Sequence, residues 1–319
     1  MKLLVTGGAG FIGSNFIHKV IGNSEIQSLL VLDALTYAGN INNLNLVKNL
    51  NKFTFIHGNI CENSIVNDIT RDIDVIVHFA AESHVDRSIV NPSQFVTTNV
   101  LGTQNLLNAA LINDVKKFIH VSTDEVYGSI PEGSWTEDFP LNPNSPYSAS
   151  KASSDLIALS YFKTFGLDVR ITRCSNNYGP FQFPEKFIPR SITNLIKGEQ
   201  IPIYGLGNNI RDWIHVSDHC AGIENVIDLG KPGEIYNFGG GNEITNLNLA
   251  HIILNEFSLG TDRIEYVEDR KGHDYRYSVS YSKATKKLGW KPTINFNEGI
   301  SQTISWYKNN TKWWENLKN

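Results

Sequence analysis

The sequence has little cysteine: three in 319 residues, Cys61, Cys174 and Cys220, none in a C-x-x-C pair. An odd, scattered set excludes a disulfide framework and a zinc knuckle, and fits a reducing compartment. Positive charge is not in surplus either, with 28 Lys and Arg against 32 Asp and Glu, a net charge of -4. Like charges do not cluster, which argues against a nucleic-acid groove and against a polybasic membrane anchor. Long apolar runs are also missing. Ile73–Ala81 is among the longest, far short of the ~20 residues a membrane span needs. Residues Met1–Gly7 turn glycine-rich where an exported chain would need an apolar core, so the expectation is a cytoplasmic protein. No internal repeat or low-complexity block is present.

What remains is ample material for a core, with 41% hydrophobic and 19% charged residues. Short β-rich runs at Lys2–Thr6, Leu29–Leu32, Phe53–His57, Val75–Phe79, Phe118–Ser122 and Val169–Thr172 read as strands. Amphipathic stretches such as Phe11–Ile21 and Phe95–Leu111 lie between them and read as helices. Strict alternation of this kind gives a parallel sheet with helices on both faces. After Arg173 the pattern changes. Residues 176–211 are rich in Asn, Gly and Pro around a short helix near Ile188–Lys197. The helix Ser217–Asp228 and strand Glu234–Phe238 then return to the sheet. The expected fold class is α/β, a Rossmann-type doubly wound parallel sheet with a smaller mixed α/β C-terminal substrate domain. Residues 1–175, rejoined by 212–240, would form the nucleotide-binding part. Residues 176–211 and 241–319 would form the other.

The first strand runs into Gly7-Gly8-Ala9-Gly10-Phe11-Ile12-Gly13, which satisfies G-x-G-x-x-G at Gly8, Gly10 and Gly13. Glycines permit the tight turn and close backbone approach, and the helix start attracts a pyrophosphate. Asp33 follows twenty residues after Gly13, at the end of the second strand. A carboxylate there accepts from a ribose hydroxyl and repels a 2′-phosphate, so the cofactor is NAD rather than NADP.

Tyr147 and Lys151 lie four apart behind a helix start marked by Ser145 as cap and Pro146 in the first turn. One helical face then carries both. An ammonium near a phenol favours the phenolate, so Lys151 is expected to lower the pKa of Tyr147 and make it a base toward a hydroxyl. Thr123-Asp124-Glu125 follows the strand Phe118–Ser122, at the sheet end where such folds bind ligands. Two adjacent carboxyls there can serve as acid and base if their surroundings separate their pKa values.

Gly7–Gly13, Ala80-Ala81-Glu82-Ser83-His84-Val85-Asp86-Arg87-Ser88, Thr123-Asp124-Glu125-Val126-Tyr127-Gly128 and Tyr147-Ser148-Ala149-Ser150-Lys151 together resemble the extended short-chain dehydrogenase/reductase family. Within it they resemble the branch of dTDP-glucose 4,6-dehydratases. The likeness continues through Arg173–Pro180, Asn209–Trp213 and Asp269–Asp274, and so covers nearly the whole chain. The Thr-Asp-Glu triplet is its most discriminating part, since related 4-epimerases usually carry small hydroxyl residues at the positions of Asp124 and Glu125.

The resemblance implies a homodimeric lyase that acts on the nucleotide sugar dTDP-glucose with NAD. The alternative is a dehydratase or 4-epimerase for a UDP- or CDP-linked sugar. Implied catalytic residues are Thr123, Asp124, Glu125, Tyr147 and Lys151, with Tyr147 acting at the 4-hydroxyl, Glu125 at C5 and Asp124 at the 6-hydroxyl. NAD contacts carry over to Gly7, Gly8, Gly10, Phe11, Ile12 and Gly13, to Asp33, Ala34, Leu35 and Thr36, and to Asn59, Ile60, Phe79, Ala80, Ala81, Ser83, Thr98, Tyr147, Lys151 and Asn177. The sugar would face Ser83, Thr123 and Asn176. The nucleotide diphosphate would meet Lys186, Phe187, Ile188, Pro189, Arg190 and Ser191, then Pro202, Ile203 and Tyr204, and finally Arg211, Asn246, Arg270 and His273. Guanidinium forks at Arg211 and Arg270 suit phosphate oxygens, and Tyr204 offers a ring for the base.

Two positions depart from the family. Asn59 stands where an aspartate is usual near the adenine, with an amide oxygen still able to accept. Lys271 replaces a common proline. His215 and His219, with Asp212 and Asp218, are not expected to hold a metal. The tail bearing Trp306, Trp313 and Trp314 is expected to pack on the small domain rather than on a membrane.

Overall fold

The computed structural model describes residues 1–318. Strands β1 (Lys2–Thr6), β2 (Ser28–Asp33), β3 (Phe53–His57), β4 (Val75–His78), β5 (Lys117–Thr123) and β6 (Val169–Cys174) lie in one sheet. After them come β7 (Asn176–Tyr178), β8 (Ile201–Tyr204), β9 (Ile210–His215), β10 (Ile235–Phe238), β11 (Glu243–Thr245) and β12 (Ile264–Val267). The large sheet has seven strands in the order β10-β6-β5-β4-β1-β2-β3, every pair parallel. The doubly wound sheet expected from the alternation is therefore present. Its connections reverse direction between β1 and β4, the place where such sheets open a crevice at their carboxyl ends.

Both faces of the sheet are covered, so its strands read as continuous apolar runs rather than alternating ones. Leu3 and Val5 point into one buried cluster with Phe16, Ile17, Val31 and Ile223. Leu4 points into the other with Leu32, Leu106, Phe118 and Ala158. The helix Val216–Leu229 and β10 do return to this sheet, with β10 beside β6.

A third cluster gathers Ile188, Ile192, Ile201, Leu249, Ile253, Ile300, Tyr307 and Trp314 around two small sheets, β11-β9-β7 and β12-β8. Strand β9 runs through residue 212, where the sequence placed a boundary, so that boundary cuts a single strand. The tryptophan tail packs on the small sheets as expected, and one ring goes further: Trp313 donates to Asn43 Oδ1 at 2.7 Å, beside the helix that follows the glycine turn. Among the described residues no helix is long and apolar enough to cross a membrane.

The stretch Phe95–Leu111, expected as one regular helix, is not regular. A turn at Pro92–Phe95 leads into a π-helical segment, Val96–Gly102, before an α-helix resumes at Thr103–Ile112. Such widened turns often occur at functional sites. Here Asn99 accepts from the Glu82 backbone N–H at 2.8 Å and donates to the Glu82 carbonyl (3.0 Å) and Ser150 Oγ (2.8 Å). One side chain thus ties the loop after β4 to the helix that carries Tyr147.

Candidate active site

The turn after β1 is set by backbone sterics. Gly7 has φ +70°, and a Cβ on it would lie 2.6 Å from the Ala80 nitrogen in the loop after β4. Gly10 caps the helix Phe11–Val20 without a side chain, so the first-turn N–H groups of that helix have no side-chain acceptor. They face a cavity of about 290 Å³ lined by Gly7, Gly10, Phe11, Ile12 and Gly13, by Asp33, Ala34 and Thr36, and by Asn59, Ile60, Phe79, Ala80, Ala81, Ser83 and Thr98. Free amides at a helix start suit a pyrophosphate. Asp33 accepts from Ala9 N at 2.9 Å and Leu35 N at 2.8 Å. A carboxylate has about four acceptor positions, so two remain for ribose hydroxyls. The donor set fits NAD.

Not every expected cofactor residue lines that cavity. Gly8 packs inward, where a Cβ would meet Val31 and Ile17 at 2.6 and 2.7 Å. It lets the helix sit on the sheet. Leu35 turns off the rim at φ +48°. The Asn59 amide oxygen already accepts from Cys61 N at 2.9 Å, which leaves it one lone pair. Gly7→Ala is expected to weaken NAD binding at least about fivefold, since a left-handed residue with a Cβ costs about 1–2 kcal/mol and the turn must shift to relieve it and the clash with Ala80. Titration of the variant with NAD measures this, and unchanged affinity would contradict the placement.

The same cavity ends on Thr123, Asp124, Glu125, Tyr147, Lys151, Cys174, Asn176 and Asn177. The helix Pro146–Phe165 starts where the sequence put it. Ser145 and Ser148 cap one another reciprocally, at 3.1 Å (Ser148 N to Ser145 Oγ) and 3.0 Å (Ser145 N to Ser148 Oγ), Pro146 occupies the first turn and Gly166 closes the helix at φ +74°. β5 ends in a tight 3₁₀ turn, Asp124–Tyr127, capped by Thr123 Oγ1 accepting from Glu125 N at 3.3 Å. Two capped elements thus converge on one point.

The two carboxyls there are unlike. Burial pushes the pKa of Asp124 well up, and the charges of Glu125 and Asp212 push the same way; its Oδ2 is buried with no hydrogen-bond partner. Its surroundings favour the protonated form. Burial raises Glu125 too, but Lys186 and Arg211 stand near and pull it back. This is the separation that acid and base roles require. The expectation for Tyr147 is corrected: its pKa lies well above the ordinary value, not below. Burial is the main cause and Glu125 adds to it, the Thr123 hydroxyl working the other way. Lys151 donates to the Val121 carbonyl at 2.9 Å, and burial pulls its own pKa down to about 8.

A second cavity of about 150 Å³ adjoins the first. Glu125, Asn176, Asn177, Gln182, Glu185 and Lys186 line both. Its farther wall has Phe187, Ile188, Arg190, Pro202, Tyr204, Arg211, Asn246, Arg270 and His273. Pro189, Ser191 and Ile203 are buried away from it, with Ser191 Oγ bonded to the Phe187 carbonyl at 2.7 Å. Arg211 is fixed by the carbonyls of Ile210 and Asp274 at 2.7 and 2.9 Å and lies 4.3 Å over the Tyr277 ring. Arg270 is paired with Asp86 at 2.6 Å and lies 5.1 Å over the Tyr204 ring. His273 pairs with Asp269 at 2.7 Å. Lys186 donates to the Ser83 carbonyl at 2.8 Å.

The sequence did not single out Tyr37, Gln182, Phe183 and Glu185 in the first cavity, or Asp86 and Tyr277 in the second. Asp86 stood inside a quoted motif; Tyr37 follows Thr36 directly. His215 and His219 are structural: His215 caps a helix by accepting from Ser217 N, and His219 meets Asn177 Oδ1 at 3.0 Å.

The family profile described as GDP-mannose 4,6 dehydratase matches residues 4–303. A dTDP-glucose 4,6-dehydratase of Streptomyces antibioticus is 55% identical over 100% of this chain and 96% of its own length. A crystal structure of dTDP-glucose 4,6-dehydratase from Streptomyces venezuelae, with NAD bound, superposes with a TM-score of 0.98 at 52% identity, covering 99% of this chain and 100% of that one. A UDP-glucuronic acid 4-epimerase from Bacillus cereus, also with NAD, reaches a TM-score of 0.92 but only 29% identity over 97% of this chain and 99% of that one.

Proposed function

This chain belongs to the GDP-mannose 4,6-dehydratase family, and we propose that it is the NAD-dependent lyase converting dTDP-glucose to dTDP-4-keto-6-deoxyglucose and water. The observation that carries this is the position of Glu125, which lines both cavities beside Asp124, a buried carboxyl whose surroundings favour its protonated form. An epimerase working only at C4 has no use for that pair.

Tyr147 takes the 4-hydroxyl proton, with Thr123 against the same oxygen and Lys151 as the chain's own cation beside it. NAD held in the first cavity would take a hydride from C4 and return it to C6, so that none would be consumed, and its charge would help Tyr147 act as a base. A ketone at C4 acidifies C5–H, and Glu125 removes that proton. Asp124 gives its proton to the 6-hydroxyl, which leaves as water, and C5 is reprotonated. Lys186, Arg211 and Arg270 hold the diphosphate, and Tyr204 stacks on the base. Arg270 lines the second cavity paired with Asp86. The seven-stranded sheet, from residues 1–175 with the helix Val216–Leu229 and β10, serves mainly the cofactor, and the small sheets with their helices serve mainly the nucleotide sugar.

The enzyme works in the cytoplasm, a reading supported by three unpaired cysteines. It works as a homodimer, supported by Ile89, Val90, Leu156 and Phe165 standing exposed on helices Val85–Val90 and Pro146–Phe165. Chromatography of the products from dTDP-, UDP- and CDP-glucose tests the substrate. The dTDP sugar turning over fastest is the expected result; faster turnover of another nucleotide would overturn the assignment.

A further inference from the structure

Behind Lys151 a row of buried polar side chains crosses the sheet. His78 of β4 and His120 of β5 are register partners whose rings lie 5.4 Å apart. His120 Nε2 is 3.3 Å from Asp155 Oδ1. Asp155 Oδ2 accepts from Arg173 Nε of β6 at 2.8 Å, and Arg173 donates on to Tyr127 Oη at 2.7 Å. Asp155 is fully buried, and Arg173 is 2% exposed. Asp155 follows Lys151 by four residues on the same helix, so the two share a face one turn apart.

Such a buried pair is seldom kept for stability alone, since desolvation cancels much of the attraction. Its surroundings give it a different use. The groups facing Lys151 come from three strands and its own helix. Burial keeps His78 and His120 neutral, the latter pushed down to about 4. Burial likewise pushes Cys174, Tyr147 and Asp124 toward their protonated forms. Asp155 is the carboxylate there that remains ionised, held down to about 2 chiefly by Arg173 against its burial, and it opposes the desolvation of Lys151.

We propose that Asp155, anchored by Arg173, is a positioning residue for the reaction: one helical turn from Lys151, it supplies a buried negative charge that steadies the Lys151 ammonium. The inference rests on the roles given above to Tyr147 and Lys151. Without the carboxylate Lys151 loses its proton at lower pH, and Tyr147 loses the cation that helps it act as a base.

The test is the pH profile of dTDP-glucose dehydration by full-length Asp155→Asn. The alkaline limb is expected to move to lower pH. Above it the rate relative to wild type falls about tenfold for each unit moved, while at acid pH the two rates converge. A merely structural role would lower the rate equally at all pH values. Asp155→Asn strands the Arg173 charge, so the D155N/R173Q double variant, which leaves neither charge, is measured alongside it and should show the same displacement. A profile superposing on wild type, in either variant, would overturn the proposal. So would failure of both to fold by circular dichroism, which would assign the pair to stability. A wild-type enzyme that makes no product would instead refute the function itself.

Discussion

Glu125→Gln is expected to convert dTDP-glucose no further than its 4-keto form, at most once per active site. The turn that carries Glu125 is held by backbone and Thr123 bonds that an amide leaves intact, so the sugar still binds and Tyr147 still works. Removing the C5 base costs the elimination about 10²- to 10⁴-fold. Until elimination occurs C6 is not reduced and NAD is not regenerated, so the variant pauses at the ketone on the timescale of wild-type turnover. Mass spectrometry of the quenched mixture should find a nucleotide sugar lighter by two hydrogens that has lost no water. Wild-type dehydration by the variant would remove Glu125 from the mechanism.

Tyr147→Phe stalls one stage earlier. Its ring stays packed against Phe95, 6.3 Å between centroids, and only the hydroxyl is lost. On the proposed assignment that hydroxyl takes the 4-hydroxyl proton, so oxidation should fall about 10²- to 10⁴-fold with little 4-keto sugar formed. Binding of dTDP-glucose, measured by calorimetry, should change little. The two variants together separate the stages: one accumulates the ketone and the other makes little of it. Accumulation of the ketone by Tyr147→Phe would contradict the assignment.

The raised Tyr147 pKa shows where sequence reasoning stopped. Spacing alone put Lys151 on the right face of the helix, and Ser145 and Pro146 marked where that helix starts; its end at Gly166 was not read. Spacing could not weigh burial against charge, and burial won. Strands were legible because a sheet covered on both faces demands unbroken apolar runs, which Leu3-Leu4-Val5 and Val75-Ile76-Val77 supply. The π-helical turn at Val96–Gly102 was not legible, because it answers to Asn99 meeting Glu82 and Ser150 across the fold. Ion pairs such as Arg270–Asp86, 184 residues apart, have no local signal at all. The carboxylate pair lay between these cases. Its place after β5 could be read from the chain, but which member keeps its proton depends on Asp212, Lys186 and Arg211 arriving from elsewhere.

Incubation of the enzyme with dTDP-glucose and NAD in deuterated water, followed by mass spectrometry, tests the central claim most directly. Oxidation, elimination and reduction at one site predict a product that has lost one water and carries one deuterium, at C5, with NAD unchanged in amount. A sugar of unchanged mass, or a dehydrated product without deuterium at C5, would contradict it.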